Sequence, residues 1–305
     1  MKRDFIHITD FSAEEIQTIF NISSRLKKET KEGSQHHYLK GKTLAMIFQK
    51  PSARTRVSFE TAMWHLGGYA LFLGPSDIGF GNREEIKDLA QLFSRYNDII
   101  MARVYDHGHI LELANHATVP TINGLTDYNH PCQVMADIYT VLEKRGHLDD
   151  LKISFIGDGN NVFNSWLYLA HRLPMRVSLA CPEGYEPDQK LVDSTNSAGL
   201  SKVTISNDPY EIIEDSDLVY TDVWTSMGDE KEINERAQLF QSFQVNENLM
   251  KAARKQAYFL HCLPAHRGEE VTDEVIDSPQ SIVFDQAENR MHVQKAIIVM
   301  LMGGL

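Results

Sequence analysis

The segment Ser52-Ala53-Arg54-Thr55-Arg56 places two hydroxyls and two guanidiniums at one point of the chain. The apolar run Thr43-Leu44-Ala45-Met46-Ile47-Phe48 precedes it and reads as a buried strand. Val57, Phe59, Ala62, Met63 and Leu66 follow at helical spacing. The motif therefore sits where a strand turns into a helix, at free backbone N–H groups and the positive end of the helix dipole. Such a terminus is a seat for a phosphate-like anion, and arginine is its bidentate partner.

Other residues with chemical potential fall at similar junctions. Arg103 ends an otherwise apolar strand, a costly place for a cation unless it serves the mouth of a sheet. His130-Pro131-Cys132-Gln133 opens a helix, with Pro favourable in the first turn. A neutral imidazole or a Gln amide there can hydrogen-bond a carbonyl oxygen without adding charge. Gly157-Asp158-Gly159-Asn160-Asn161 resembles a dinucleotide fingerprint superficially. Val162 stands where its third glycine would be, and no acid ends the next strand. Asn160 and Asn161 suit a zwitterion better than a pyrophosphate. Asp222, at a strand end, is a natural partner for an ammonium group, with Ser226-Met227-Gly228 just beyond. Cys262 ends another strand beside His261. A cysteine on an apolar strand is most often inert core, but at the carboxyl edge near basic residues it is also a candidate for a lowered pKa and a chemical role.

The elements that must position these groups alternate. The pattern predicts strands at 43–48, 69–73, 98–104 and 119–122, with helices at 54–66, 83–96 and 108–117 between them. A capping box at Ser12–Glu15 opens an earlier helix, and Gln133 to Arg145 forms a bridging one. A second run has strands at 152–157, 176–180, 202–206, 218–223 and 257–262, and helices near 161–172, 209–214 and 246–255. The tail from Val293 to Met302 reads as a final helix. The expected fold is α/β: two doubly wound parallel-sheet domains with a cleft between them, ligands lying beyond the carboxyl ends of the strands.

At 305 residues the chain is natural for two lobes. Its net charge of −12 argues against nucleic-acid and anionic-membrane partners, so anion-binding arginines must act locally. Three widely spaced cysteines form neither a disulfide framework nor a zinc motif. With no signal-like start and no membrane-length apolar run, a cytoplasmic setting is expected.

Taken together the motifs resemble the ornithine carbamoyltransferases, of the aspartate/ornithine carbamoyltransferase family, in order along the whole chain. Ser52-Ala53-Arg54-Thr55-Arg56 is similar to the carbamoyl-phosphate motif, with Ala53 where Thr is common. His130-Pro131-Cys132-Gln133 matches as it stands. Asp222 with Ser226-Met227-Gly228 resembles the ornithine loop, His261-Cys262-Leu263-Pro264 the cysteine motif, and Glu288-Asn289-Arg290 the element before the last helix. The resemblance implies that carbamoyl phosphate contacts Ser52, Ala53, Arg54, Thr55, Arg103, His130, Gln133, Cys262, Leu263 and Arg290. L-ornithine would contact Asn161, Asp222, Ser226 and Met227, and Cys262, Arg103, His130 and Asp222 would carry the chemistry, with Cys262 receiving or relaying the amine proton. It also implies a carbamoyl-phosphate domain over 1–146, an ornithine domain over 147–289, and a helix over 290–305 returning to the first. A homotrimer or a multiple of trimers is implied, with no cofactor and no metal. In Ser76-Asp77-Ile78-Gly79-Phe80-Gly81 the chain departs from the Gln-Leu-Gly that many bacterial members carry in a loop reaching a neighbouring subunit.

Within this class, aspartate as acceptor would want further cations where Asp222 stands. Putrescine shares the attacking amine but lacks the α-carboxylate and α-ammonium, and the Ser-Met-Gly loop favours ornithine over it. A nicotinamide-dependent dehydrogenase and a Cys–His hydrolase are the alternatives from other classes.

Overall fold

Strands buried on both faces of a parallel sheet must be apolar along their whole length, and β1 (Thr43–Phe48) is buried from its second residue onward. In the computed structural model, which describes residues 2–34, 37–79, 84–225 and 233–303, it belongs to a four-stranded parallel sheet. The other strands are β2 (Tyr69–Leu73), β3 (Ile99–Arg103) and β4 (Thr121–Leu125), in the order β2-β1-β3-β4. Helices α1 (Ala13–Lys31), α2 (Ala53–His65), α3 (Ile86–Tyr96) and α4 (His107–His116) accompany them, and α5 (Pro131–Arg145) follows. Ser12 caps α1 with the reciprocal Glu15 contact expected of a capping box.

The second sheet has β5 (Lys152–Ile156), β6 (Arg176–Ala180), β7 (Lys202–Ser206), β8 (Leu218–Thr221) and β9 (Tyr258–His261) in the order β7-β6-β5-β8-β9, again all parallel. Its helices are α6 (Asn161–Ala170), α7 (Gln189–Ser197), α8 (Pro209–Ile213), α9 (Ile233–Leu239), α10 (Glu247–Ala252) and the single turn α11 (Asp273–Ile276). The last helix is α12 (Val283–Met302). The chain divides into two compact units, Met1–Ala136 with Glu288–Leu305, and Asp137–Ala287. The two chain crossings between them lie inside α5 and inside α12.

Both sheets reverse their winding once. In the first the switch lies between β1 and β3; in the second, between β5 and β8. Right-handed crossovers on either side of a switch put successive helices on opposite faces, leaving a crevice at the carboxyl ends of its two strands. Ser52 follows β1 and Arg103 ends β3; Asp158 and Asp222 follow β5 and β8.

The expected elements are present, with boundary differences. The final helix begins at Val283 rather than Val293, because Gln286, Asn289 and Arg290 interrupt the apolar pattern although all three are buried. Glu288-Asn289-Arg290 therefore lies within the last helix and not before it. Helices α7, α9 and α11 carry no sequence signal strong enough to be marked. Among the described residues no helix is long and apolar enough to cross a membrane.

Behind β8, Tyr220 stacks on Phe155 with ring centroids 5.1 Å apart. Its hydroxyl donates to buried Asp137, which also accepts from Gln286 of α12 at 2.6 Å. Gly159 lies where the turn after β5 meets residues 185–187: a Cβ there would fall 2.5 Å from Pro187 N and 2.8 Å from Tyr185 O. Gly159→Ala is expected to destabilise the protein by about 1–3 kcal/mol through overpacking against backbone, read as a lower urea midpoint at unchanged m-value.

Candidate active site

In the first unit, Ser52 is the N-cap of α2 and its Oγ accepts from Thr55 N. That hydrogen bond shapes the anion seat expected from sequence. Thr55 is fully buried, and three side chains converge on its hydroxyl: Ser52 Oγ at 3.2 Å, Arg290 Nη2 at 3.2 Å and Arg103 Nη1 at 3.5 Å. Arg290 arrives from α12, 235 residues away in sequence. Ala53 and Arg54 are exposed on the first turn of α2, whereas His130, Gln133 and Arg290 are buried.

Burial holds the His130 imidazole well below the usual histidine range, and Arg290, Arg103 and Arg54 lower it further. His130 is thus a neutral group among guanidiniums, able to meet a carbonyl oxygen without adding charge. Burial likewise pushes the Cys132 thiol up to about 12, so it stays protonated and donates to Asn123 O. Arg56 does not join the seat; it pairs with Glu60 and lies over the Phe72 ring at 4.0 Å.

In the second unit the convergence point is Asp222. Asn160 Nδ2 donates to its Oδ2 at 2.8 Å; Cys262 Sγ at 2.9 Å and the Val223 N–H at 2.8 Å donate to Oδ1. Asn160 is also the N-cap of α6, accepting from Val162 N and Phe163 N, and Asn161 opens that helix. Ser226 and Met227, expected to meet ornithine, lie outside the described residues, as does Gly228. Of Ser76 to Gly81, the described part ends at Gly79.

Cys262 lies against a carboxylate. Its thiol donates to Asp222 Oδ1, while His261 is engaged elsewhere. The His261 Nδ1 accepts from Leu263 N at 2.8 Å, and its Nε2–H faces Glu270 Oε1 at 3.0 Å, both residues being fully buried. The same bond holds Leu263 at φ 60°, a left-handed backbone rare for leucine. Asp222, His261 and Cys262 offer ligand atoms within 4.8 Å of one another. Both imidazole nitrogens are already committed, so the set does not fit a resident metal.

Sequence reasoning missed Arg236 of α9. It is 7% exposed, donates to Asp158 Oδ2 at 2.6 Å and Trp224 O at 3.0 Å, and lies 4.8 Å over the Tyr185 ring. No motif or helical pattern marks it.

Two family models match the chain. The first, described as "Aspartate/ornithine carbamoyltransferase, carbamoyl-P binding domain", covers residues 3–143; the second, "Aspartate/ornithine carbamoyltransferase, Asp/Orn binding domain", covers residues 149–301. The chain belongs to the aspartate/ornithine carbamoyltransferase family. A chloroplastic ornithine carbamoyltransferase of Pisum sativum is 54% identical over 99% of this chain and 80% of its own length. An anabolic ornithine carbamoyltransferase of Pyrococcus furiosus is 52% identical over 99% and 97%. A solved ornithine carbamoyltransferase structure from Pyrococcus furiosus superposes with a TM-score of 0.95 at 51% identity, covering 100% of this chain and 98% of that one.

The buried histidines have a pH consequence. His7, His107, His130 and His171 all sit below the ordinary value of 6.5 through burial, His107 at about 4. Each binds a proton more readily unfolded, so stability is full above pH 6.5 and lost as pH falls. Urea unfolding should give a lower free energy at pH 5 than at pH 7, and His107→Gln should flatten that slope. A pH-independent midpoint would contradict the assignment.

Proposed function

We propose that the chain transfers the carbamoyl group of carbamoyl phosphate to the δ-amine of L-ornithine, giving L-citrulline and phosphate in arginine biosynthesis. The observation that carries this reading is the neutral His130 among Arg54, Arg103 and Arg290 at the end of the first sheet. A carbamoyl phosphate dianion needs cations for its phosphate and a neutral donor for its carbonyl.

In this reading Ser52, Ala53, Arg54 and Thr55 hold the phosphate with Arg103. Arg103, Thr55 and His130 polarise the carbonyl, and Gln133 and Arg290 complete the carbamoyl-phosphate contacts. The backbone carbonyls of Cys262 and Leu263 accept from the carbamoyl NH2 and orient the carbon for attack. The amine nitrogen bonds to the carbonyl carbon, and the C–O bond to phosphate breaks with its electron pair leaving on the phosphate. The δ-ammonium, roughly pKa 10.4 by analogy with lysine, must first lose a proton. Asp222 holds the ammonium by charge, and Cys262, which donates to Asp222, keeps that carboxylate oriented. The proton then passes through this pair to water or to the departing phosphate, the base that gains charge as the reaction proceeds. Asn161, Ser226 and Met227 bind the amino-acid end of ornithine. A carboxylate at position 222 favours an amine acceptor bearing positive charge over aspartate.

The working form is a homotrimer or a multiple of trimers in the cytoplasm. In support, α2 and β2 expose Val57, Trp64, Tyr69 and Leu71, with Trp64 75% exposed, an apolar set that a monomer rarely leaves in water. Among the described residues all three cysteines are free, in keeping with a reducing compartment.

The deciding experiment is citrulline formation with ornithine, putrescine and aspartate offered in parallel. Selective use of ornithine is expected; preference for putrescine would overturn the assignment of residues 226–228. Asp222→Asn should raise the KM for ornithine about 10- to 100-fold by removing a charge-assisted hydrogen bond, leaving the KM for carbamoyl phosphate nearly unchanged. Trp64→Glu should shift the molecular mass in light scattering from trimer toward monomer.

A further inference from the structure

The amino ends of β8 and β9 lie at the opposite edge of the second sheet from Asp222. Asp217 stands just before β8 and Asp222 just after it, so at roughly 3.3 Å per residue the two edges are about 16 Å apart. At the amino edge the end of α5, the turn before β8, residues 254–258 leading into β9 and residues 279–280 enclose a cavity of about 800 Å³. Lys144, Arg145, His147, Arg254 and Lys255 line it, and Asp217 is the one carboxylate among its described lining residues. On a chain of net charge −12 such a concentration of cations is unusual.

Local pairing accounts for part of it. Lys144 lies 2.9 Å from Asp285 and complements the carboxyl end of the α5 dipole. Asp217 is buried; it accepts from the Lys152 N–H at 2.9 Å and from Arg254 Nη1, and Arg145 Nη2 is 3.5 Å away. One buried carboxylate is thus shared between two guanidiniums. The other acids nearby are exposed: Asp215 lies 3.9 Å from Arg254 Nε, and Asp149 3.8 Å from His147 Nδ1. Arg145 Nη1 is itself buried and has no acceptor among the described residues. A desolvated guanidinium N–H is unfavourable until an acceptor, best an anion, meets it. Lys255 is exposed and makes no ion pair among the described residues.

The cavity is far larger than one phosphate, and its cations come from two separate segments. Ala257, Tyr258 and Pro279 add apolar surface. The acidic exterior disfavours a long polyanion. A short, highly charged anion fits both conditions. We propose that this cavity binds an oligophosphate, a chain of two or three phosphates either free or carried on a nucleoside, with Arg145, Arg254 and Lys255 as its cations. No residue assigned to carbamoyl phosphate or ornithine lines the cavity, so the site is separate from carbamoyl transfer and does not depend on which amine is the acceptor.

The test is calorimetric titration of the protein with sodium triphosphate and with ATP, both without divalent metal. The arginine cluster around Thr55 also attracts phosphate anions, so the titration is made in Arg54→Gln as well as in the wild type. Binding of about one triphosphate per chain is expected to persist in Arg54→Gln. It should weaken about 10-fold on adding Lys255→Glu or Arg145→Gln, each of which removes a charge-assisted contact. Affinity should also fall as salt rises from about 50 to about 200 mM. Lys255→Glu by itself should leave the kinetics of carbamoyl transfer within about two-fold of the wild type. Lys255 is on the surface, so this variant serves if Arg145→Gln fails to fold. Tighter binding of ATP than of triphosphate would place a nucleoside against Tyr258 and Pro279, and equal binding would assign the affinity to the phosphate chain; either supports the site. Loss of all triphosphate binding in Arg54→Gln, or an affinity that neither Lys255→Glu nor Arg145→Gln changes, overturns the proposal.

Discussion

The fully buried hydroxyl of Thr55 is the point on which the arginine cluster of the first unit depends. Three segments remote from one another in the chain meet there: the cap of α2, the end of β3 and the middle of α12. Bringing guanidiniums together costs Coulomb energy, and burying them costs desolvation. Such a cluster persists only where donors are spread over fixed acceptors and an anion completes the balance. The helix terminus at Ser52 supplies the remaining positive potential, and the topological switch between β1 and β3 supplies the crevice. His130 is neutral for the same reason that the arginines can act there: burial and neighbouring cations both oppose a further positive charge.

The cluster in the second unit is the mirror case, a carboxylate among neutral donors. Asp222 sits at the switch between β5 and β8, is braced by three neutral donors, and belongs to a strand locked from behind by the Tyr220–Asp137–Gln286 hydrogen bonds. Cys262 is part of this bracing. Its strand-end position was readable from sequence, but its chemical character depends on what lies opposite, and a carboxylate lies opposite. His261 is similarly redirected. Adjacent to Cys262 in sequence, it turns to buried Glu270 and to the Leu263 N–H, where it steadies a left-handed backbone and not the thiol.

Most strands of the fold could be placed from the chain alone, since fully buried parallel strands are continuous apolar runs, with glycine, proline or asparagine marking several of their ends. Helix α12 was read ten residues short because Gln286, Asn289 and Arg290, polar in sequence, are buried by partners elsewhere. Arg290 was singled out through resemblance, and its placement inside the helix is what lets it reach Thr55. Arg236 was invisible: on a short helix, a lone arginine among Glu235, Gln238 and other polar neighbours looks like a solvated charge.

The sequence by itself determined the local events: where strands turn into helices, which hydroxyls and prolines open those helices, and which charged types stand at strand ends. These follow from residues within one or two turns of each other, where side-chain type and spacing fix the backbone. The tertiary structure decided the pairings: Arg290 with Thr55, Cys262 with Asp222, and Arg236 with Asp158. Each joins segments separated by 40 or more residues. A hydrogen bond depends on distances of a few tenths of an ångström, and those are set only when the sheets, the helices and their packing are all in place.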